Sequence, residues 1–185
     1  NSKLAGEEPG NEIAAHIDTH YSNEFTPQHG NQAASAVANT MRELSGVDFL
    51  FMQACYVAND IYKGDYSQKD LAYIAKNDGG WPGRMELTGD QIYALVERTL
   101  SMTGNRGAVC NDSTLYVSSG FVMDITKTEE GYVLNALTVD GKELDRSAKY
   151  SFLVYGDRDW YMTDVMEQIG VTEVDTSGPK AEGYL

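Results

Sequence analysis

Apolar residues recur along this chain with two different periods. Over 31–45, "NQAASAVANTMRELS", Ala34, Val37, Ala38, Met41 and Leu44 return every three or four positions, and Gly46 follows as a stop signal. That spacing predicts a helix with one buried stripe. Residues 11–22, "NEIAAHIDTHYS", are read as a shorter helix. The run Val47 to Met52 is apolar enough for a buried strand. Two capping boxes, Ser67-x-x-Asp70 and Thr88-x-x-Gln91, announce further helices. The second of these carries Ile92, Leu95, Val96 and Leu100 on one face. The Gly/Pro-rich stretch 77–87 reads as a loop entering a short strand, and 101–113 as a loop.

From residue 114 the period becomes that of strands: "TLYVSSG", "FVMDITKT", "YVLNALTV" and "KYSFLVYG". Turn signals separate them, the clearest being Glu129-Glu130-Gly131 and Asp140-Gly141. A last helix over about 160–168 ends near Gly170, and the polar tail 175–185 reads as loose. Helices mainly in the first half and antiparallel strands in the second predict an α+β domain with one or two mixed sheets.

Composition narrows the function classes. The 185 residues suit one domain or one domain with a short appendage, and 42% hydrophobic content can fill a core. A formal charge of −14 repels phosphate backbones and argues against nucleic-acid partners. No apolar run approaches the ~20 residues that span a bilayer, and the polar opening "NSKLAGEEPGNE" has no signal-peptide pattern. Cys55 and Cys110 are too few for a disulfide scaffold, and they read equally as a pair or as two buried thiols.

Two candidate chemistries come from residue types alone. Glu12, His16 and His20 would share one face of the first helix and present zinc-type ligands, against the plainer reading of an exposed polar face. Cys55 as a nucleophile would need a histidine, yet all three histidines lie in the first 29 residues. No P-loop, dinucleotide fingerprint or G-x-S-x-G elbow is present.

Residues 53–59, Gln-Ala-Cys-Tyr-Val-Ala-Asn, are too apolar for a solvent loop and too irregular for a strand. Their neighbours explain them. The order "VANTMRELSGVDFLFMQ", "GDYSQKDL", "MELTGDQIYALVE", "VSSGFVMDI", "VDGKELDRSAKYSFLV" resembles the C-terminal domain of the family of 5′-nucleotidases, UDP-sugar hydrolases and 2′,3′-cyclic-nucleotide phosphodiesterases. The most specific pieces are Gly46-x-Asp48-Phe49, Gly64-Asp65 and Leu87-Thr88-Gly89, and the resemblance runs over about 34–165.

The resemblance implies a 5′-nucleotidase C-terminal-domain-like fold, with 1–28 a linker-helix remnant and 29–185 the domain. It implies a nucleotide or nucleoside as ligand and an N-terminal metallophosphatase domain as partner. That partner would hold two divalent metal ions, and this domain would hold no cofactor and not be catalytic alone. An extracytoplasmic location follows from the same resemblance. The family's N-G-G-G-I-R segment falls on Gln53 to Ala58, so every glycine is replaced and Ala58 stands at the Arg position.

The stacking Phe expected near Lys76-Asn77-Asp78 is missing, and Trp81 is its candidate substitute, or else a loop anchor beside Pro82. The third element falls on 155–164 without its double glycine. There Trp160 or Tyr161 would stack, and Asp164 or Asp159 would take the ribose. Gln53, Tyr56 and Asn59 line the replaced loop, with Tyr56 equally able to plug it. Arg84 or Arg106 would replace the lost cation. The alternative is a diverged, non-enzymatic binding or interaction module that kept the fold and lost the nucleotide site.

Overall fold

The computed structural model describes residues 11–26, 30–74, 80–102, 116–157 and 164–178. Its centre is a four-stranded sheet. The chain runs β1 (Ile13–Ile17), α1 (Gln32–Ser45), β2 (Phe49–Gln53), β3 (Gly64–Ser67), α2 (Gln68–Ile74), β4 (Gly80–Thr88), α3 (Gly89–Met102), β5 (Tyr116–Ser119), β6 (Val122–Thr128), β7 (Gly131–Val139), β8 (Lys142–Glu143), β9 (Lys149–Asp157) and α4 (Met166–Gln168). The central order is β4-β9-β2-β5. β2 and β9 are parallel, and both outer pairs are antiparallel.

Strand β2 is apolar throughout because both faces of this sheet are covered. Phe49 and Phe51 point into one core with Met85, Leu87, Phe152 and Val154, closed by α3. Leu50 and Met52 point into the other with Leu153 and Tyr155, closed by α1 and α2. Helix α1 buries the predicted stripe Ala34, Val37, Ala38 and Met41, whereas Leu44 is exposed. Asn31 caps its start by accepting from the Ala34 amide at 2.8 Å, and Gly46 ends it in the left-handed region at φ 63°. Both predicted capping boxes form: Ser67 with Asp70, and Thr88 with Gln91.

A second, three-stranded sheet, β6-β7-β8, packs on α3. Tyr93 of α3 joins them, accepting from the Leu137 amide at 3.2 Å while the Arg146 guanidinium sits 3.7 Å above its ring. Asp140 and Gly141, at φ 51° and 74°, make the tight β7–β8 turn that the Asp-Gly pair predicts.

Three expectations change. The helix over 11–22 is absent: Ile13–Ile17 is a strand, antiparallel to β3. Ala15 and Ile17 alternate inward against the second core, so a period of two outweighs the weak helical spacing. The short strand after the Gly/Pro loop is nine residues long and contains Trp81 and Pro82. Pro82 is tolerated because β4 is an edge strand and needs no amide on its outer side. Residues 101–102 continue α3 instead of opening a loop, and the rest of that predicted loop lies outside the described residues.

Candidate functional site at one end of the central sheet

Four strand ends meet at one edge of the central sheet. The parallel strands β2 and β9 both finish there, at Gln53 and Asp157, while β4 and β5 begin there. Register fixes the meeting: Gln53 opposes Tyr116, Met52 opposes Tyr155, Trp81 opposes Gly156 and Gly80 opposes Asp157. The carboxyl ends of neighbouring parallel strands are where open α/β sheets leave a ligand crevice.

The floor of this end is aromatic and tightly filled. Tyr155 is fully buried beneath Gly80, where an added Cβ would lie 2.3 Å from its ring. Tyr56 meets Tyr155 edge to face, with centroids 5.3 Å apart at 84°. The segment 54–59, just past β2, is neither strand nor open loop. Ala54–Tyr56 makes one 3-10 turn, closed by the Val57 amide donating to the Ala54 carbonyl at 3.1 Å. The Ala58 amide then donates to Ile74 at the end of α2, also at 3.1 Å. Two anchors, one in the core and one on α2, thus hold the replaced loop.

The sheet end brings three of the sequence candidates together. Gln53 is half-buried at the end of β2, Tyr56 is buried behind it, and Trp81 is half-buried near the start of β4. Asn59 is exposed just past the turn. Arg84 is exposed three residues along β4 from Trp81, about 10 Å away at ordinary strand rise. Its backbone pairs both ways with Asp175, at 2.8 and 2.9 Å. Asp164 is exposed shortly before α4. Trp160, Tyr161, Asp159, Arg106, Cys110 and Lys76 to Asp78 lie outside the described residues.

One part of this region escaped the sequence reading. A cavity of about 370 Å³ opens beside Ala54, walled by Phe25, Phe51, Tyr116 and Phe121. Phe51 and Tyr116 stack there with centroids 4.6 Å apart. The only sequence signal was two aromatics on separate apolar runs, which says nothing about adjacency before the β2–β5 pairing is known.

The other candidate chemistries change with the fold. Burial pushes the Cys55 thiol up to about 11, so it stays protonated at neutral pH and is a poor nucleophile. Glu12, His16 and His20 do not share a helix face, because the segment is a strand and then a turn. Instead His16 Nδ1 lies 2.5 Å from Asp65 and His20 Nε2 lies 2.9 Å from Asp60. Among the described residues no group of three or more His, Cys, Asp or Glu is placed to hold a metal ion.

The motifs that carry the family resemblance hold the frame. Asp48 accepts from the amide and hydroxyl of Ser151, both at 2.8 Å, while its own amide donates to that hydroxyl at 2.9 Å. This reciprocal clamp sets the β2–β9 register, and Ser151 holds the Asp48 carboxyl below the usual carboxylate range. Arg42 donates to buried Ser119 at 2.9 Å, and Ser119 donates to Asn39 at 2.6 Å, tying α1 to β5. Gly89 lets α3 start against the chain before β9: a Cβ there would lie 2.1 Å from the Asp145 carbonyl.

The sequence profile of the 5′-nucleotidase, C-terminal domain family matches residues 13–156. The chain belongs to this family. Solved structures agree on the fold. The NAD nucleotidase of Haemophilus influenzae superposes with a TM-score of 0.68 at 17% identity, over 86% of this chain and 31% of that one. The 5′-nucleotidase of Candida albicans does so with a TM-score of 0.55 at 8% identity, over 94% of this chain and 39% of that one. This chain therefore spans between 31% and 39% of the length of these two relatives. No curated protein matches it in sequence. The mixed α+β architecture expected from the pattern is the family's, and the Gly46-x-Asp48-Phe49 and Leu87-Thr88-Gly89 pieces are its joints.

Proposed function

We propose that this chain is the substrate-gripping domain of a 5′-nucleotidase-type phosphoester hydrolase of nucleotide catabolism. In this reading it binds a nucleotide or nucleoside at the end of the central sheet. Hydrolysis belongs to an N-terminal metallophosphatase domain of the same parent chain, which holds two divalent metal ions and lies outside the cytoplasm. Trp81 stacks on the base, aided by Trp160 or Tyr161, because a π face accepts any base. Gln53 and Asn59 supply hydrogen bonds to sugar or phosphate, Asp164 contacts the ribose, and Arg84 offers a cation at longer reach. The observation that carries the reading is the meeting of Gln53, Trp81 and the end of β9 at one sheet edge, within a chain of this family.

The test is fluorescence titration of the chain with adenosine, AMP and NAD. Saturable quenching that weakens at least tenfold in Trp81→Leu is expected. No saturable response to any of the three, from a folded chain, would overturn the proposal.

A second reading is favoured by one specific observation. Tyr56 stands in the replaced glycine segment, and its ring is committed to the core against Tyr155. A chain that kept the frame and closed the site would be a non-enzymatic binding or interaction module. It would give the flat titrations just described.

A further inference from the structure

We propose that His16 is a pH-dependent latch holding strand β1 onto β3. The argument starts from its two ring nitrogens. Nδ1 lies 2.5 Å from Asp65 of β3, and Nε2 lies 3.3 Å from Asp18 on the segment after β1. A neutral imidazole has one N–H and one lone pair, so it can satisfy only one of these carboxylates and must face the other with a lone pair. Only the imidazolium donates to both. The protonated ring suits both contacts, and the Asp65 hydrogen bond raises the His16 pKa above its ordinary 6.5.

The surrounding charges are few. Asp65 and Asp18 are the charged groups acting on His16. Helix α2 also packs against β1 and carries Lys69 and Asp70, but the Asp70 carboxylate accepts from the Ser67 amide and hydroxyl. His20 serves as an internal control. It faces one carboxylate, Asp60, through one ring nitrogen, a contact a neutral ring can also make.

The latch has something to hold. Strand β1 is mostly exposed and, among the described residues, pairs with β3 alone. Its inward residues Ala15 and Ile17 cover the second core, and Ile17 and Tyr21 close one side of a groove of about 510 Å³ over Val37, Ile61, Leu71 and Ile74. The sign follows from the raised pKa. The stabilising contact is complete below the ordinary histidine value and is lost as pH rises through the folded-state value. Loosening β1 at alkaline pH uncovers that apolar lining.

Hydrogen exchange resolved by NMR on the 185-residue chain tests this. Protection factors of the β1 and β3 amides should fall about two- to fivefold between about pH 5.5 and 8.5, the size expected of an exposed ion pair. His16→Gln should abolish that dependence, and His20→Gln should leave it. If the His16 variant is too unstable to measure, Asp65→Asn should return the His16 ring titration toward its ordinary value. Protection of β1 independent of pH in the natural chain, or a His16 ring titrating at or below 6.5, would overturn the latch.

Discussion

The joints of the frame and the end of the central sheet differ in how they spend their side chains. At the joints every distinctive residue is consumed by structure: Asp48 by Ser151, Arg42 by Ser119, Thr88 by Gln91, Gly89 by the approach of Asp145. At the sheet end the residues expected to carry chemistry are replaced, and what stands there is a turn anchored by Tyr56 and Ala58. Family membership is thus written in positions that fix strand register and helix starts. The candidate site stands at the opposite end of the same strands, where β2 and β9 finish and β4 begins. A fold assignment resting on the first set says little about the second.

Breaking the frame should have the largest effect. Gly89→Ala places a Cβ against backbone, which cannot rotate away, so the β9 entry or the start of α3 must move. A loss of about 3 kcal/mol in urea unfolding is expected. A variant within about 0.5 kcal/mol of the natural chain would mean that the joint is soft and the comparison overdrawn.

Legibility followed the same division. Helix α1 was readable because its apolar spacing and Gly46 agreed, and α3 because its apolar spacing and the Thr88–Gln91 capping box did. Strand β2 was readable because burial on both faces leaves a continuous apolar run. Strand β1 was not, since Ile13, Ala15 and Ile17 suit either period over so short a stretch, and the deciding partner, β3, lies about fifty residues on. Nor was the length of β4, because Pro82 and two glycines argue for a loop unless one knows the strand is an edge. At the candidate site, the sequence named Gln53 and Trp81, and strand pairing brings their strand ends to one edge of the sheet. The burial of Tyr56 and the Phe51–Tyr116 wall depend on pairings that no local pattern encodes.

The next prediction sharpens the sheet-end side of the comparison. Cys55 stands in the replaced loop at the sheet end, and burial pushes its thiol up to about 11. At pH 8 such a thiol is about 0.1% thiolate, and the greater intrinsic nucleophilicity of a more basic sulfur recovers only part of the deficit. Iodoacetamide should alkylate Cys55 about tenfold more slowly than a small model thiol, read by mass spectrometry of its peptide in a Cys110→Ser background. Labelling at the model-thiol rate would show the turn opening readily and leave the site less closed than Tyr56 and Ala58 imply.

The smallest expected effect concerns an exposed clamp of the frame. The Asp48 carboxylate accepts two hydrogen bonds from Ser151, so its folded-state pKa lies below the unfolded value. A depressed carboxylate contributes stability that is present above the unfolded value, near pH 4, and is lost as pH falls through the folded one. Asp48 is mostly exposed, so solvent screening reduces the contribution to about 1 kcal/mol at neutral pH. Asp48→Asn should lower stability by about that amount at pH 7 and by progressively less toward pH 3, because the natural chain loses the same contact as Asp48 protonates. Unfolding curves for both proteins over that range measure it. A difference that stays constant with pH would assign Asp48 a packing role, and would remove the distinction between a carboxylate kept for register and one kept for chemistry.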